Sequence, residues 1–216
     1  MSSTARASCG RILSDVSDLL SLHPKIRNPG PGKPHGNTRP LLHACTVLTY
    51  TAWEVYVEDL LLEAVPFFRV HTHLPKQLQD KVAQRVQSKP WSLAEKSWTA
   101  QVEKAVKSIS VGEAGKSGMN SANTKNVNEA FEVVFGEPLL DRCRWQGMSA
   151  SANKKYIDQL VERRGALVHR GVLDKGDGPL NLGIVRDWAD WVGRLADKVD
   201  DLAANALLAL TGEPSS

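Results

Sequence analysis

Cysteine is scarce in this chain. Three residues, Cys9, Cys45 and Cys143, are spread over 216 positions with no paired spacing. That spacing and the odd count argue against a disulfide framework, and reduced thiols of a cytosolic protein are the expectation. Long apolar runs are missing: none approaches the ~20 residues of a membrane span. The opening residues, M-S-S-T-A-R-A-S-C-G-R, lack the apolar centre of a signal peptide. A cytoplasmic protein with no membrane partner is expected. Neither charge sign dominates, with 27 Lys and Arg against 24 Asp and Glu and a net charge of +3. That balance is compatible with nucleic acid and too weak to argue for it. Stretches alternating with period two are absent, so nothing reads as a strand, and there is no internal repeat.

Two short motifs fail for want of neighbours. G-K-S at Gly115 to Ser117 suggests a phosphate loop, but Ser110 stands where that motif needs its first glycine, and the approach is helical rather than a strand. A flexible loop over 110–123 is preferred. His71 and His73 lie two apart without a third ligand nearby, which points to a loop with incidental histidines. Neither a cofactor nor a metal is called for.

What is present is helical periodicity. Ile12, Val16, Leu19 and Leu20 give a short amphipathic helix over 10–22. The Pro- and Gly-rich stretch Asn28–Asn37 then reads as a linker tethering that helix loosely, so residues 1–37 and 38–212 are set apart. Thr38 can cap a long helix with Pro40 in its first turn, apolar on nearly every side and kinked or ended at Pro66. Within it Glu54 and Glu58 share a face. Pro75 opens a third helix. A fourth is read over 91–109 with Trp91, Trp98, Val102, Ala105 and Ile109 inward. Another spans 123–135, closed by Gly136, and Pro138 to Met148 forms a turn or short helix. The last helix, about 181–210, carries Ile184, Trp188, Trp191, Leu195, Val199, Leu202, Ala206 and Leu210 in a heptad-like pattern. The expectation is an all-α bundle built on the helices near 41–66, 151–170 and 181–210.

The stretch Ser151–Gly171 carries the chemistry. It opens on the capping-type residues Ser151 and Asn153, runs without proline and stops at Gly171. On a helical wheel Tyr156, Ile157, Leu160, Val161, Leu167 and Val168 fall in an arc of roughly 140°. Arg164 falls near its middle, and His169 lies roughly 140° away from Arg164. A guanidinium stays charged and is costly to bury without partners. One explanation is an ion pair with Glu54 or Glu58 on the neighbouring helix, with His169 and Arg170 as ordinary residues of a helix C-terminus. The other is a functional site.

Arg164 to His169 resembles the Arg-x4-6-His motif of the HEPN superfamily. The wider pattern is similar to its RiboL-PSP type: W-E-x-Y-V-E at Trp53 to Glu58, an N-x6-F-G segment at Asn128 to Gly136, and a helix end with Arg164, His169 and Gly171. The resemblance covers roughly residues 40–210. It departs at Gly165, where members commonly have a polar residue after the arginine. It implies metal-independent cleavage of RNA through attack by the 2′-hydroxyl, in a toxin or antiviral effector. Arg164 and His169 would then be catalytic, at a composite site shared by a homodimer. Glu54 and Glu58 would support Arg164, while Arg163 and Arg170 would flank the cleft as phosphate contacts, although Arg163 also reads as a solvated arginine at the edge of the stripe. The alternatives are an inactive helical module binding RNA, a nucleotide or a protein, or the partner of a nucleotidyltransferase; an antitoxin is a further possible partner.

Overall fold

Thirty-two residues without a glycine make the longest helix of the chain, α3 (Arg39–Val70). In the computed structural model, which describes residues 3–27, 37–71, 73–91, 93, 97–113, 116–173 and 178–211, the other elements are arranged around it. They are α1 (Thr4–Ser21), α2 (Pro24–Arg27), α4 (Lys76–Ser88), α5 (Trp98–Ser110), α6 (Thr124–Phe135), a 3-10 turn (Leu139–Asp141), α7 (Ala150–Arg170) and α8 (Leu182–Leu210). The fold is all-α, as the periodicity predicts. A two-residue antiparallel ladder, Gly112–Glu113 with Lys116–Ser117, follows α5 where a plain loop was expected.

The apolar residues of α3 face nearly every direction because helices cover it on several sides. Trp53, Tyr56, Val57, Leu61 and Phe68 are all buried. α8 lies against it with Trp188, Trp191, Leu195, Val199, Leu202 and Ala206 inward, matching the expected heptad-like face. The Tyr56 hydroxyl donates to the Ala196 carbonyl at 2.9 Å, which ties the two helices in the middle.

Three expectations are corrected. The first helix begins at Thr4 and packs along α3 and α8 instead of hanging loosely. Ala5, Cys9, Val16 and Leu20 are buried, Glu63 accepts the Ala5 N–H at 2.6 Å, and Arg6 pairs with Asp197. Its first turns are built of Ala, Ser and Cys, too weakly apolar to mark a buried face. The linker reading at 28–36 lies outside the described residues. Next, Pro66 does not end α3, which continues to Val70. The proline stands on the exposed side, where water can serve the carbonyl that its missing N–H leaves free. Last, the helix read over 91–109 is α5 and starts at Trp98, and both tryptophans expected inward are exposed, Trp91 at 81% and Trp98 at 38%. The G-K-S glycine, Gly115, falls outside the described residues, while Lys116 and Ser117 belong to the ladder.

Candidate functional site

Helix α7 forms where its caps dictate. Ser149, two residues earlier than expected, accepts the Ala152 N–H at 3.1 Å. Gly171 ends the helix in the left-handed region at φ +66°, and its N–H reaches the Leu167 carbonyl at 3.0 Å. Asn153 is no cap. It is fully buried, donates to the Cys143 carbonyl at 2.9 Å and accepts the Trp191 indole N–H at 2.9 Å. The buried side of α7 runs Asn153, Ile157, Leu160, then Leu167. Arg164 fills the gap in that 4-3-4-3 series. Tyr156 and Val168, expected inward, are 38% and 51% exposed: Tyr156 lies against the Trp191 ring at the edge of the stripe, and in the last turn the buried face narrows to Ala166 and Leu167.

Arg164 does not pair with Glu54 or Glu58. Among the described residues no carboxylate reaches it. Its guanidinium carbon lies 4.9 Å from the centroid of the Tyr50 ring instead. Its Nε is enclosed and has no hydrogen-bond partner. Tyr50 is itself buried and held at both faces of its hydroxyl: it donates to Glu54 at 2.7 Å and accepts the Ala122 N–H at 3.1 Å. Burial pushes the Tyr50 phenol up from its ordinary value. Glu54 therefore meets Arg164 only through the tyrosine. Glu58 is half-buried, and burial, with Glu54 and Asp59 adding repulsion, raises its carboxyl above the usual range.

His169 is exposed on the last turn of α7. Arg163 is not a solvated surface residue: it is half-buried with its guanidinium carbon 4.8 Å from the Trp188 ring centroid. Arg170 is exposed at the helix end. A Cβ placed at Gly165 would meet no atom within 4 Å outside the neighbouring helix backbone. Among the described residues, no three His, Cys, Asp or Glu side chains converge as a metal cluster. His71 packs on Phe67 at 4.4 Å between ring centroids, and His73 is exposed.

Sequence reasoning missed three neighbours of this site on α3. Arg39, His43 and Tyr50, together with Glu54, fall within roughly 80° of one another on the helical wheel. Arg39 Nη2 donates to the Gly171 carbonyl at 2.7 Å, and its Nε approaches His43 Nε2 at 3.4 Å. Burial, with Arg39 adding repulsion, lowers the His43 pKa from its ordinary value. The signal was present in the spacing 39, 43, 50, 54, but each residue alone reads as an ordinary polar position.

The remaining pieces of the pattern shape the scaffold. The Trp53 indole N–H donates to the Ala122 carbonyl at 2.9 Å. Asn128 accepts the Leu140 N–H at 3.1 Å and donates to Asp141 at 3.0 Å, fixing the 3-10 turn below α7. Gly136 closes α6 at φ +82°. The site as built offers one guanidinium at a helix seam without a carboxylate partner among the described residues, one exposed imidazole, and a second guanidinium and imidazole on the facing helix. These are groups that bind a phosphate and move a proton. No helix among the described residues is long and apolar enough to cross a membrane. No curated protein and no solved structure matches the chain. One family model does, that of RiboL-PSP-HEPN, over residues 11–205, and the chain belongs to that family.

Proposed function

We infer that this chain is a metal-independent endoribonuclease of the HEPN type. The observation that carries the reading is Arg164: a guanidinium on the core stripe, resting on an aromatic face with no carboxylate among the described residues to neutralise it. Such a charge is suited to a phosphate. RNA supplies its own nucleophile, the 2′-hydroxyl. An imidazole takes the hydroxyl proton as the 2′-oxygen bonds to phosphorus, and the bond to the 5′-oxygen breaks as that oxygen gains a proton. The products are a 2′,3′-cyclic phosphate and a 5′-hydroxyl. Arg164 balances the negative charge that builds at phosphorus.

Arg164 and His169 diverge by roughly 140° around α7, so the cleft is assembled from two copies related by a two-fold axis. Exposed Val168 and Val172, beside His169 and Gly171, support a contact face at this end of α7. A role in toxin or antiviral action on the cell's own RNA follows from the same reading.

The test is end-mapping. Purified protein incubated with tRNA or total RNA in EDTA should leave 2′,3′-cyclic phosphates. Arg164→Ala and His169→Ala should each lose about 100-fold or more of that activity. Equal cleavage by wild type and both variants, or none by wild type, overturns it. Light scattering should give a dimer; a strict monomer removes the shared cleft. Gly165, in place of the family's polar residue, favours a second reading: a non-cleaving helical module that binds RNA or a partner protein. His169→Ala would then leave its biological effect intact.

A further inference from the structure

The seam between α3 and α7 continues past Arg164 to the start of α3. Tyr50 of α3 faces Arg164 of α7, and Arg39 of α3 faces Gly171 of α7, so the helices run antiparallel here. Gly171 lies seven residues beyond Arg164, about 10 Å along the helix axis. Beside Gly171 a second guanidinium stands on the same seam. Arg39 is exposed, and among the described residues it too has no carboxylate partner. One of its terminal nitrogens, Nη2, is fixed by the Gly171 carbonyl, and His43 stands beside its Nε. The bond to Gly171 orients the guanidinium edge and leaves Nη1 for another acceptor.

Two arginines without counter-ions among the described residues, roughly 10–16 Å apart along one seam by the rise along α7 and along α3, match two phosphates of one chain better than one phosphate. The rise per nucleotide is roughly 3.4 Å in a duplex strand and larger in an extended single strand. That separation therefore spans a small number of nucleotides of an extended strand. We propose that Arg39, steadied by the Gly171 carbonyl and His43, binds an RNA backbone phosphate flanking the one held at Arg164. This rests on the ribonuclease reading for the identity of the strand. It assigns Arg39 to substrate binding, not to bond breaking.

Arg39 also serves a helix end, since the Gly171 carbonyl is one of the acceptors that α7 leaves unpaired. A structural strut and a phosphate contact predict different salt dependence. The probe is a fluorescein-labelled 2′-O-methyl RNA 12-mer of mixed sequence, which lacks the nucleophile and stays uncut. Its binding to the full-length protein is followed by anisotropy over a series of KCl concentrations. Arg39→Ala should bind roughly tenfold more weakly, the worth of one charge-assisted contact. Its slope of log K against log salt should fall by about 0.7, one phosphate contact to a single strand. Arg39→Lys, which keeps the charge, should retain most of the slope. Arg194→Ala, an exposed arginine on α8 away from the seam, should change neither.

An Arg39→Ala variant that melts lower but keeps the wild-type slope makes the residue a strut and overturns the proposal. So does an equal loss of slope in Arg194→Ala, or a wild type that does not bind the probe. Cleavage of unmodified RNA separates this from the broader reading. If His169→Ala abolishes cleavage while Arg39→Ala leaves KM and probe binding unchanged, the flanking site fails and the nuclease stands. If wild type cuts nothing yet binds the probe through Arg39, the nuclease fails and the phosphate site stands.

Discussion

Arg164 sits 4.9 Å above the Tyr50 ring, and that ring is locked by hydrogen bonds to Glu54 at 2.7 Å and to the Ala122 N–H at 3.1 Å. Glu54, one of the two carboxylates that the sequence offers as Arg164's partner, is thus spent on a phenol. The arginine keeps its full charge, and an aromatic face supplies part of the support that a carboxylate would otherwise give. Changing the ring and changing its hydroxyl should therefore separate. Tyr50→Phe keeps the ring and should cost about 1–2 kcal/mol of stability through the Ala122 N–H left unpaired, with RNA cleavage reduced only a few-fold. Tyr50→Leu removes the platform, and its cleavage rate should approach that of Arg164→Ala. Initial rates beside urea unfolding of both variants make the comparison. Equal rates for Phe and Leu would show that the ring face does not hold Arg164.

Gly165 lies inside α7 with open space at its missing side chain. Glycine in a helix interior is less stable than alanine by roughly 0.5–1 kcal/mol. Gly165→Ala should raise stability by about that much, read from the urea midpoint at constant m-value. Gly165→Asn, which supplies the polar residue common in the family, should fold normally and cleave RNA at least as well as wild type. A loss of stability in Gly165→Ala would mean that α7 needs the glycine for its path.

Asn153 joins three elements: α7 through its own backbone, α8 through the Trp191 N–H, and the turn before α7 through the Cys143 carbonyl. Asn153→Ala strands a buried donor and a buried acceptor together. The expected cost is about 2–4 kcal/mol, since each orphaned group carries its own desolvation penalty. Differential scanning calorimetry checks it. A loss below ~0.5 kcal/mol would show that relaxation satisfies both groups.

The three cysteines should behave as core residues. Burial pushes Cys9 up to about 11, with Arg6 pulling it partly back, and pushes Cys143 up to about 12. All three are buried and free. At pH 8 a thiol reagent should label none of them in the native protein within minutes, and all three after unfolding. The sign of the pH effect follows. Unfolded thiols lose their protons above about pH 8.5, while the folded thiols keep theirs. Below that pH their contribution is fully present, and it is lost as pH rises towards 11. Stability measured across pH 8–11 should fall; a flat profile would show the thiols to be exposed.

Strong periodic patterns are legible in the amino-acid sequence itself. The inward face of α8 is the one its heptad-like spacing gives, and Arg164 lies on the core stripe where the wheel places it. What escaped depends on other helices. Tyr50 reads as one more apolar residue of α3 until α7 sets Arg164 on its face. Arg39 and His43 read as a polar helix start until the end of α7 comes down beside them. The opening turns of α1 escaped because Ala5 and Cys9 are small, and their burial comes from close approach to α3 rather than from strong hydrophobicity. Trp91 misled in the opposite direction, since a large apolar side chain is no guarantee of burial.

Ala122 is gripped twice by α3: its N–H by the Tyr50 hydroxyl and its carbonyl by the Trp53 indole. Both grips fall on main-chain atoms, which every residue but proline possesses. The tie between this loop and the site is therefore written entirely on the helix side. Position 122 is fully buried, so any residue as small as alanine keeps the tie and leaves Arg164 undisturbed. Tyr50 and Trp53 have no such latitude. In a comparison among relatives, position 122 should hold small residues while Tyr50 and Trp53 stay fixed.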